Sequence, residues 1–110
     1  MFNFIKRLFT CHKPEKQPDV ELIQTNEDDG YECAYLRNQG TSSVECEVHF
    51  RYKPTVTLRL GATAHVAYGY NTIDGVVTTI FHTGFEVKSE SWDGTPFWEW
   101  FPYRNLLGAK

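Results

Sequence analysis

Three groups of side chains in this 110-residue chain have types and spacings that could do chemistry: aromatic rings, histidines and cysteines. The rings are the densest. Trp92, Phe97, Trp98, Trp100, Phe101 and Tyr103 fall within twelve positions near the C-terminus. Exposed rings of this kind stack on sugar or base faces, or anchor a protein interface through large apolar area. His65 and His82 sit at polar-facing positions of a segment expected to fold back on itself. A four-residue loop, Thr72 to Gly75, would set them opposite each other. Two imidazoles are fewer than the three or four ligands a zinc site needs, so they are weak candidates and no metal is assigned.

Catalysis finds less support. Cys33 and Cys46 fall on the apolar face of their strands and His49 on the polar face, which separates a thiol from its base. Ser42, Ser43, Ser89 and Ser91 belong to no nucleophile-elbow motif. A glycine-rich phosphate loop and a paired metal motif are both missing. The sequence therefore reads as a non-enzyme, and no cofactor is called for. Glu27, Asp28 and Asp29, closed by Gly30, could offer oxygen ligands to a hard cation, but their spacing matches no calcium loop. They read as an acidic turn that adds a secondary contact patch.

Charge is unevenly spread. Four basic groups and one acid make residues 1–16 net +3, so the formal −3 of the chain leaves −6 for the rest. A weakly acidic body argues against nucleic acid as a partner, because that affinity comes mostly from phosphate contacts. Met1 to Phe9 places Phe2, Ile5 and Phe9 on one helical arc with Lys6 and Arg7 off it. A short amphipathic helix of this kind could contact a membrane or a partner. No spanning apolar run and no secretory signal are present, so the expected location is cytoplasmic, with peripheral attachment at the inner membrane through this segment as an alternative.

The elements that must position these groups are strands. Aromatics make up 15% of the chain, and Val, Thr and Tyr are prominent. After a basic segment and proline-containing linker, 1–18, residues 19–110 read as one β domain. From Val44 to Lys53 apolar and polar residues alternate, as on a strand with one buried face. A two-residue Gln39-Gly40 loop would set Tyr31 opposite Val48, Cys33 opposite Cys46 and Tyr35 opposite Val44, all on the apolar face. Buried reduced thiols are expected for that cysteine pair. Thr55 to Leu60 and Ala62 to Tyr70 alternate in turn, with Leu60, Tyr68 and Tyr70 expected inward. The next turn falls at Thr72 to Gly75, and one long strand then carries Val77, Thr79, Phe81, Thr83, Phe85 and Val87 on a common face. Phe97 to Tyr103 closes the pattern with rings on both faces. An all-β antiparallel sandwich of about seven or eight strands follows, with a short N-terminal amphipathic helix or tail.

The span from Tyr31 to Tyr70 resembles the middle of an immunoglobulin-like sandwich. An Asn38-Gln39-Gly40 turn leads into an alternating strand, and Leu58-Arg59-Leu60-Gly61 connects to the next. The likeness covers a little over a third of the chain and implies architecture only, since such sandwiches host many functions. Size and the aromatic and acidic patches point to a protein–protein interaction module, an accessory, inhibitor or immunity-type protein of a bacterium or phage. A module stacking a sugar or nucleotide on its tryptophans, and a peripheral membrane protein held by residues 1–9, are the alternatives.

Overall fold

The computed structural model describes residues 20–23, 31–51 and 53–110. The expected N-terminal helix (Phe2, Ile5, Lys6, Arg7, Phe9) and the acidic turn at Glu27, Asp28 and Asp29 lie outside the described residues.

Among the described residues nine strands form two antiparallel sheets. The first sheet holds β1 (Val20–Ile23), β2 (Tyr31–Gln39), β3 (Ser42–Phe50) and β4 (Val56–Arg59) in sequential order. The second holds β5 (Thr63–Tyr68), β6 (Asn71–Ile80), β7 (Gly84–Glu90), β8 (Pro96–Pro102) and β9 (Leu106–Ala109), ordered 8-7-6-5-9. The sheets pack into a sandwich around one apolar core, with Leu36, Cys46, Val48 and Leu58 from the first and Val66, Val77, Phe85 and Phe101 from the second. Among the described residues no helix is long and apolar enough to cross a membrane.

Turn chemistry moves the hairpins from their expected places. The β2–β3 loop is Gly40-Thr41, between the paired Gln39 and Ser42. Gly40 takes φ 65° while Thr41 does not have a positive φ, the pattern of a II′ turn, which wants glycine at its first central position. A bulge between Arg37 and Asn38 then shifts the register by one, pairing Ala34 with Val48 and Leu36 with Cys46, so β2 buries Ala34 and Leu36. Tyr35 instead shares the outer face with Glu47 and His49, its ring edge-on to the imidazole at 5.4 Å. Cys33 lies opposite His49 rather than Cys46. Cys33 is disulfide-bonded and Cys46 is a free buried thiol, so the expectation of reduced thiols holds for one and fails for the other.

The β5–β6 turn is also displaced. It falls at Gly69-Tyr70, with Gly69 at φ 61°, and Asp74-Gly75 runs through the middle of β6. Space rather than turning explains Gly75, since a Cβ there would sit 2.9 Å from the Cβ of Val87. The expected long strand from Val77 to Val87 breaks at residues 81–83, where the Phe81 amide donates to the Gly84 carbonyl at 2.7 Å. Tyr70 and Phe81 are consequently exposed, and Ile80, which the alternation had placed outward, joins the core beyond a bulge at Thr78.

The second sheet is strongly curled. β8 and β9 lie at its opposite edges, yet only the 3₁₀ turn Tyr103–Asn105 joins them. Flat, those edges would be about 19 Å apart, given a strand spacing of about 4.8 Å. A three-residue link reaches only about 13 Å even when extended. The sheet therefore folds toward itself at that end, and three contacts record it. Tyr68 meets Phe101 edge-on at 5.8 Å. The Tyr68 hydroxyl donates to Glu99 Oε1 at 3.2 Å, and the Asn105 side-chain amide donates to the Ala67 carbonyl at 3.0 Å.

Tyr103 plugs the space that curling creates. It is fully buried, stacks on Phe85 at 5.8 Å and donates its hydroxyl to the Phe81 carbonyl. Tyr103→Phe should keep the ring packing and remove that donor, costing about 1–2 kcal/mol. Urea denaturation checks it: a midpoint equal to wild type would show that the hydroxyl contributes nothing.

Candidate functional site

Strand β8 decides which rings face solvent. It pairs only with β7 among the described strands, in a register that sets Phe101 opposite Phe85, Trp100 opposite Glu86 and Trp98 opposite Lys88. Paired residues share a face, so Phe101 follows Phe85 into the core while Trp98 and Trp100 turn outward. Phe97 is half-buried on the inner side, and Phe101 and Tyr103 are core residues. The aromatic surface expected from sequence thus loses Phe101 and Tyr103, because alternation and the curl bury them. What remains exposed is Trp98 at 54%, Trp100 at 46% and Trp92 at 98%.

Each of the three tryptophans has a local cause for its placement. Trp92 projects from the β7–β8 connection, where the Ser91 amide donates to the Thr95 carbonyl at 2.9 Å and the Gly94 amide returns to Ser91 at 2.9 Å. Asp93 braces that turn by accepting from the Ser91 hydroxyl and from the Thr95 amide, and these bonds hold its carboxyl below the usual range. Trp98 carries the Lys88 ammonium 5.5 Å from its ring centroid, a cation–π contact across the strand pair. Trp100 lies over Gly84, where a Cβ would meet the indole at 2.7 Å and the Phe101 carbonyl at 2.2 Å.

The groups around the rings were not singled out from sequence. Glu86, Lys88 and Glu90 alternate outward on β7, and Val76 and Asp74 continue the face onto β6. A groove of about 490 Å³ opens where β6 and β7 diverge, lined by Thr63, Asp74, Val76, Lys88 and Glu90 among others. The period-two pattern of β7 carried this signal.

The histidines do not meet. His65 stands opposite Asp74, whose Oδ1 accepts from its Nδ1 at 2.6 Å. His82 lies in the β6–β7 connection and donates to Glu21 Oε2 at 2.9 Å, tying an edge of the first sheet to the second. The register that would bring them together does not form, and among the described residues no group of three or more histidine, cysteine or acidic side chains is placed to hold a metal ion. Ser42 and Ser43 begin β3 and Ser89 donates to the Asp74 carbonyl at 2.8 Å.

On the outer face of the first sheet, charges pair both across strands and along β3. Glu45 accepts from Arg59 at 2.8 Å with Arg37 at 3.8 Å, and Glu47 accepts from His49 at 2.8 Å. Such exposed pairs are ordinary solvated surface and are worth little individually. The buried thiol is no nucleophile either. Burial, opposed in part by a hydrogen bond with Tyr103, pushes Cys46 up to about 12. Thiolate chemistry is shut off at neutral pH.

Protein-family models, curated proteins and solved structures contain no match to this chain, so its functional reading rests on the geometry itself.

Three outcomes check this geometry. Cys46 should resist iodoacetamide at neutral pH in the folded protein and react once guanidinium unfolds it. Stability should also fall as pH rises from 9 toward about 12, since the unfolded thiol ionises near 9.0 and the buried one holds its proton. A Cys46→Ala variant should lose that part of the slope. Gly84→Ala should displace Trp100 and shift tryptophan emission, with a stability loss of about 1–3 kcal/mol from overpacking.

Proposed function

We propose that this chain is a non-catalytic protein–protein interaction module whose contact surface is the outer face of β7 and β8. The observation that carries this reading is the pair Trp98 and Trp100, side by side on an edge strand and about half exposed, with Trp92 fully exposed at the adjoining turn. Large rings left in water at one edge mark an interaction site more often than ordinary surface. Tryptophan is also the residue type most enriched among interface hot spots. Pro96 and Pro102 bound β8 and limit how far another strand could extend the ladder, which favours contact through the side-chain face.

An accessory, inhibitory or immunity-type role fits a small domain that acts by covering a partner. The immunoglobulin-like likeness of Tyr31 to Tyr70 has support as far as two packed antiparallel sheets go. The sequential order of the first sheet differs from the crossed order of that class.

A Trp98→Ala/Trp100→Ala variant should keep the fold, because neither ring belongs to the core, and should lose a partner captured by the wild type. Truncating hot-spot tryptophans costs about 2 kcal/mol or more each, so capture should drop at least about thirtyfold. Equal recovery by a folded double variant in quantitative pull-down would remove the assignment.

A further inference from the structure

We propose that the surface recognised by this face is cationic, an arginine-rich protein surface whose guanidinium groups stack on Trp98 and Trp100. The inference rests on the interaction reading above and adds the chemistry of the partner.

Three observations converge on it. First, the field over Trp98 already holds a cation. The Lys88 ammonium lies over the indole, drawn by the negative face of the ring. A partner cation can take that place, and arginine suits it better than lysine, because a planar, weakly hydrated guanidinium stacks flat on a ring. Second, the surrounding charge has the opposite sign. Glu86 faces Trp100 across the ladder, Glu90 lies at the end of β7, and Asp74 continues the face on β6, with Lys88 the lysine among them. The chain as a whole is net −3, a sign that also favours a basic partner. Third, the shape admits an incoming side chain. The groove between β6 and β7 has Asp74 and Glu90 among its walls and Lys88 at the side where its ammonium reaches Trp98. An arginine entering beside Lys88 meets the carboxylates of the groove, and the Trp98 ring opens to it once Lys88 is displaced.

The neighbouring charges limit the claim to this face. Asp74 is shared with His65, and Glu86 accepts from the Thr78 hydroxyl at 2.9 Å, so each keeps only part of its capacity for a partner. Glu90 is exposed at the end of its strand and is the carboxylate expected to matter most.

The test titrates the full chain with octa-arginine, octa-lysine and octa-glutamate while following tryptophan fluorescence at low and raised salt. Octa-arginine should bind, octa-lysine should bind more weakly, and octa-glutamate should not bind. Raising salt should weaken the octa-arginine complex, because exposed charges are screened over about 10 Å at 0.1 M. Trp98→Ala should weaken it about fivefold or more, and Glu90→Gln about threefold. Lys88→Ala should tighten it, by removing both a like charge and the internal competitor for the ring. Thermal melts confirm that each variant is folded.

Equal response to octa-arginine and octa-glutamate, or no response to either, overturns the proposal, as does weaker binding in Lys88→Ala. The broader reading fails separately. If a captured partner is lost in Trp98→Ala/Trp100→Ala yet presents no basic surface, the cationic chemistry is wrong and the interaction face stands. If capture ignores both tryptophans, the face itself is wrong.

Discussion

The short crossing from β8 to β9 constrains the rest of this protein. Three residues must carry the chain between the two edges of a five-stranded sheet, and a flat sheet is too wide for them. Curling is the only geometry that closes the link, and Tyr103 is the side chain that fills the space so formed. Its ring stacks on Phe85, its hydroxyl satisfies the Phe81 carbonyl at the β6–β7 connection, and it hydrogen-bonds with the Cys46 thiol of the other sheet. One residue thus touches the turn that ends β6, the core of its own sheet and the facing sheet.

That constraint has a consequence at the surface. Curling brings the inner face of β8 against Tyr68, and pairing with β7 sets Phe101 beside Phe85, which together claim Phe101 for the core. Strand alternation then leaves Trp98 and Trp100 no inward position. The outward pair is therefore a product of the same geometry that buries Phe101 and Tyr103, and the aromatic richness of β8 serves two purposes on two faces. The sheets are further fastened at their margins. Lys53 donates to the Leu106 carbonyl at 2.8 Å and sits over Phe50, its pKa lowered by burial, while His82 reaches Glu21 from the opposite connection.

Legibility in the sequence followed the range of the interactions involved. Alternation depends on neighbours two positions apart, so the buried faces of β3 and β4 and the middle of β5 were readable: Cys46, Val48, Leu58, Ala64 and Val66 are all inside. Hairpin positions depend on which glycine adopts a positive φ, and the sequence offers several. Gly40 begins its loop rather than ending it, and Gly69 turns the chain where Asp74-Gly75 had seemed the stronger signal. The loop shift alone would have kept the faces; the bulge between Arg37 and Asn38 turned Tyr35 and Cys33 away from the core face, although Cys33 stays buried. Gly75 misled because glycine also serves close approach, and the atoms that require it, on Val87, are distant in sequence.

By itself the sequence determined the class of this protein: antiparallel strands, one apolar core, and an aromatic run at its C-terminal end. Those properties are local, set by side-chain type and a period of two. Tertiary structure alone decided the register, the curl of the second sheet and which rings reach water. Each of these depends on pairings and link lengths between distant segments. The separation of Phe101 and Tyr103 from Trp98 and Trp100 became visible only when β8 was laid against β7.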